Sequence, residues 1–88
     1  MSPTFNIGFR LAELTHQTDV KGVGILAFAI RDAGHDAQRI SYSEMRQVIE
    51  QHLPPRLLKA DTADPDQVIR SLLEYLTEKQ SLFTLSAR

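Results

Sequence analysis

SLFTLS, Ser81 to Ser86, is the stretch on which the fold class turns. Leu82 and Thr84 alternate with Phe83 and Leu85, which is the period of a short strand. A strand needs a partner, and Gln38 to Ser41 is the candidate. On this pairing the chain is mainly α with one or two short strands, an α+β fold built on about four helices.

The segment before SLFTLS is a helix with a marked start. Asp64 is a good N-cap, Pro65 fits the first helical position, Asp66 meets the positive helix end, and Gln67 completes a D-x-x-Q variant of the capping box. Val68, Ile69, Leu72, Leu73 and Leu76 then form an apolar stripe to about Lys79. Ser41-Tyr42-Ser43-Glu44 is S-x-x-E, a capping box, flanked by Ile40 and Met45 as a hydrophobic staple. Met45, Val48, Ile49, His52 and Leu53 continue the stripe until Pro54-Pro55 ends the helix.

The same region invites a calcium reading, which fails. With Glu44 at position 12 of an EF-hand loop, Ala33, His35 and Ala37 fall on ligand positions and Gln38 replaces the Gly. Starting at Asp32 puts Gly34 at position 3 and Ser43 at position 12. Neither register supplies the oxygen ligands the ion requires.

Nearer the N-terminus, Phe5, Phe9 and Ala12, with the adjacent Ile7, Leu11 and Leu14, predict a helix over about Thr4–His16. A second helix is expected from Asp19 to Ala33, closed by Gly34 in the left-handed position. Its core stripe is read as Val20, Val23, Ala27 and Ile30 with Leu26 beside it. The segment GVGILAFAI also suits a strand, but its length and Gly stop favour the helix. Being apolar nearly all round, it is expected to be the central, most buried element.

At 88 residues the chain is long enough for one domain, 1–88, which can also stand as one domain of a longer polypeptide. Apolar residues make up 42% and charged residues 24%, the balance of a globular protein. The absence of Cys excludes disulfides, thiolate catalysis and cysteine-held metals. The N-terminus lacks the basic start and apolar run of a signal peptide, and Val20–Ile30 is shorter than the roughly 20 residues a membrane span needs. The expected location is cytoplasmic, with no membrane partner. No phosphate loop, nucleophile elbow or metal-spaced histidine pattern occurs among His16, His35 and His52. The chain therefore reads as no enzyme, with no cofactor and no metal.

Charge is segregated. Ala37 to Ala60 carries Arg39, Arg46, Arg56 and Lys59 against Glu44 and Glu50, a balance of +2. Asp61 to Lys79 carries Asp61, Asp64, Asp66, Glu74 and Glu78 against Arg70 and Lys79, a balance of −3.

From about Asp19 onward the order of helix, short strand, helix, helix, strand resembles a winged-helix domain. RIS (Arg39–Ser41) would be its first strand, Tyr42–Leu53 its second helix and Asp64–Lys79 its third. DPDQVIRSLLEYLTEKQSLFTLS, Asp64 to Ser86, is similar to the third helix and following strand of that superfamily. DNA-binding members place the third helix in the major groove. Here that helix presents Asp66, Gln67, Arg70, Glu74 and Glu78 to solvent, and its acids repel phosphates. Only one strand follows it, so the two-stranded wing is incomplete. Other winged-helix domains, including those at the N-termini of kleisin-type subunits, serve in dimerisation and docking, and the resemblance implies that use here.

The sequence thus leads to a small interaction or adaptor module whose partner is another protein or a second copy. Phe5, Phe9, Phe83 and Leu85 are its candidate interface. The alternative is a DNA-binding regulator using Arg39, Arg46, Arg56 and Lys59 on phosphates, a use that the formal net charge of −1 disfavours.

Overall fold

A computed structural model describes residues 2–86, with side chains through residue 83. Six helices follow in order: α1 (Pro3–Thr15), α2 (Asp19–Asp32), α3 (Tyr42–Gln51), α4 (Leu53–Lys59), α5 (Pro65–Glu78) and α6 (Gln80–Ser86). Among the described residues there is no strand, so the α+β class and its one or two short strands give way to an all-helical fold.

The helix starts are local chemistry. Side-chain oxygens of Ser2, Thr18, Ser41 and Asp64 accept the backbone N–H three residues on, at the heads of α1, α2, α3 and α5. At Ser41 the box is reciprocal: its Oγ accepts from Glu44 N–H at 3.1 Å, and its own N–H donates to Glu44 Oε1 at 2.9 Å. Three helix ends share one geometry. After α2, Gly34 N–H donates to Arg31 O and His35 N–H to Ile30 O, with Gly34 at φ 79°. His16 at φ 57° and Asp61 at φ 54° take the same left-handed position after α1 and α4.

Two expectations are corrected here. Pro54-Pro55 does not simply stop a helix running to Leu53. α3 ends at Gln51, and the prolines sit in the first turn of α4, where their missing N–H groups cost no intrahelical bond. SLFTLS is helical, within α6, because its partner strand does not form. Asp36 Oδ1 accepts Gln38 N–H and Asp36 O accepts Arg39 N–H, so the chain turns there and leads into the α3 cap. α6 instead packs on α1, α3 and α5. Phe83 is buried, its ring edge-on to Tyr42 at 6.0 Å.

α1 and α2 form a tight antiparallel hairpin. A Cβ on Gly22 would stand 2.5 Å from Ala12 Cβ and 2.6 Å from Gly8 O, and one on Gly8 would stand 2.8 Å from Val23 Cγ2. Only hydrogen fits at these two positions, so the helix backbones meet almost directly. Both helices line a single core built from Ile7, Leu11, Leu26, Ile30, Met45, Ile49, Leu53, Leu57, Leu72 and Leu76. Tyr75 O–H donates to Asn6 Oδ1 at 2.7 Å and ties α5 to α1. Thr4 Oγ1–H donates to Ala37 O and ties α1 to the loop before α3.

α2 is not the central element its composition predicts. Its backbone approaches α1, α3 and α4 closely but not α5. Its buried residues are Gly22, Leu26, Ala29 and Ile30. Val20, placed in the core by the sequence stripe, is 84% exposed.

Candidate interaction surface

An α-helix advances 100° per residue, so two residue sets offset by two positions lie about 200° apart. In α2 the core register is 22, 26, 29 and 30. The register offset by two is Val20, Gly24, Ala27 and Phe28, followed by Arg31. This second set faces outward and is apolar except for Arg31. Val20 is 84% and Phe28 46% exposed, and a Cβ added at Gly24 would meet nothing within 4 Å.

α1 extends the same face. Phe5 is 49% exposed and stacks on Phe9, with ring centroids 6.2 Å apart. Both lie on the register beside Gly8 and Ala12, which press on α2. The outer side of the hairpin is therefore an apolar strip running from Phe5 and Phe9 to Val20, Gly24 and Phe28. Isolated exposed apolar side chains are ordinary, and several sharing one face make it the candidate contact surface.

Charged groups border the strip. Arg31 stands over the Phe28 ring at 4.8 Å and Arg56 at 5.2 Å. Arg56 also forks onto Asp32, donating from Nε to Oδ2 at 2.7 Å and from Nη2 to Oδ1 at 2.8 Å. This fork holds the Asp32 carboxyl below its ordinary value and raises Arg56. The Ser41 backbone N–H lowers Glu44 in the same direction, with smaller help from the Ser41 hydroxyl and from His35, whose Nδ1 lies 3.4 Å from Glu44 Oε2.

The candidate interface residues divide. Phe5 and Phe9 lie on the outer strip. Phe83 is only 3% exposed and belongs to the core. The side chain of Leu85 lies outside the described residues. The four candidate phosphate contacts are spread over the loop before α3 (Arg39), α3 (Arg46) and α4 (Arg56, Lys59). Arg46 lies 3.8 Å from Glu50, and Arg56 is held by Asp32. Sequence reading missed Val20, Gly24 and Phe28 as surface residues. Their signal was present, because a helix apolar all round must have more than one covered face, but the pattern does not say which face is outermost.

A cleft of about 60 Å³ lies between Pro3, Ala37, Arg39, Ile40, Ser41 and Phe83. It is far below the roughly 300 Å³ at which small-molecule pockets begin. Among the described residues no group of three or more His, Cys, Asp or Glu converges to hold a metal ion, and no helix is long and apolar enough to cross a membrane. No family model, curated protein or solved structure matches the chain.

Proposed function

We propose that this protein is a non-enzymatic interaction module of the adaptor type, working through the outer face of the α1–α2 hairpin. The carrying observation is on α2: Val20 and Phe28, two large apolar side chains, stand open to solvent on the side away from its buried register. Burying such a face against another protein supplies the contact that the single chain lacks. Phe5 and Phe9 add rigid aromatic area, and Arg31 and Arg56 supply a charged rim.

The same features argue against a DNA-binding role. Carboxylates neutralise Arg46 and Arg56. α5 turns Asp66, Glu74 and Glu78 outward. A phosphate-binding surface needs cations that remain available to displace counterions.

Two measurements test the proposal. Phe5→Asp and Val20→Asp are expected to abolish self-association or capture of a protein partner while helical circular dichroism stays intact. Leu58→Asp, on the exposed side of α4, should leave association unchanged. Face variants that keep every association of the wild type would sink the proposal. In parallel, a labelled mixed-sequence duplex titrated at low and physiological salt should show no binding. Steeply salt-dependent binding, weakened by Arg39→Ala, would replace this function with the regulator.

A further inference from the structure

No further inference is drawn: the strongest candidate, the apolar strip on the outer side of the α1–α2 hairpin, carries nothing beyond the function proposed above, because nothing in the structure shows what covers it.

Discussion

His16 holds a left-handed backbone at φ 57°, a conformation that costs a residue with a Cβ about 1–2 kcal/mol. His16→Gly is therefore expected to stabilise the protein by about 1 kcal/mol, partly offset by the freedom Gly gains in the unfolded chain, as urea unfolding will show. Ser41 acts oppositely. Ser41→Ala leaves the first turn of α3 uncapped and should cost about 1 kcal/mol in the same measurement. The lowered carboxyls of Asp32 and Glu44 give stability a pH dependence. Both groups favour folding when ionised. Their contribution is complete above about pH 5 and is lost as pH falls through the folded values. The urea midpoint should hold steady from about pH 7 to 5 and fall below about pH 4, and Asp32→Asn with Glu44→Gln should flatten that fall. The two groups differ in legibility. The Ser41–Glu44 box can be read from four consecutive letters, whereas Arg56 and Asp32 lie 24 residues apart and meet only because α4 packs on α2.

Each helix was recognised to the degree that its own residues determine it. α3 and α5 carry clear caps and a single apolar stripe, and both start where expected, although α3 ends at Gln51 rather than Leu53. α2 forms where expected as well, with Leu26 and Ile30 buried as its stripe predicts, but Val20 is exposed and Gly22 and Ala29 are buried instead, because apolar residues on every side leave the choice to its neighbours. The two central glycines of the hairpin should respond in opposite ways. Gly22→Ala forces a methyl against the Gly8 carbonyl and Ala12, so it should destabilise by about 1–3 kcal/mol. Gly24→Ala meets open space and should stabilise the monomer by about 0.5–1 kcal/mol. Thermal unfolding of the two variants at equal, low concentration separates them. α6 is the element that alternation misassigns. Phe83 anchors it in the core, so Phe83→Ala should cost about 3 kcal/mol.

For the whole molecule, the core of an 88-residue chain is modest and further burial is valuable. If the outer hairpin face completes its burial by self-association, folding and association are linked, and the melting temperature rises with protein concentration. In that case the wild-type midpoint climbs between about 5 and 500 µM, while that of Val20→Asp stays flat.

The starts of α3 and α5, the Gly34 stop of α2 and the amphipathic faces of α3 and α5 follow from the letters, because capping bonds span three residues and the apolar period is local. Three features came only with tertiary packing: the helical state of residues 80–86, the restart of the chain as α4 at Leu53, and the outward face of α2. Each depends on what lies across from it. A strand forms only beside another strand, Pro-Pro either ends or begins a helix according to what Leu53 and Leu57 can pack against, and an all-apolar helix buries whichever side its neighbours cover.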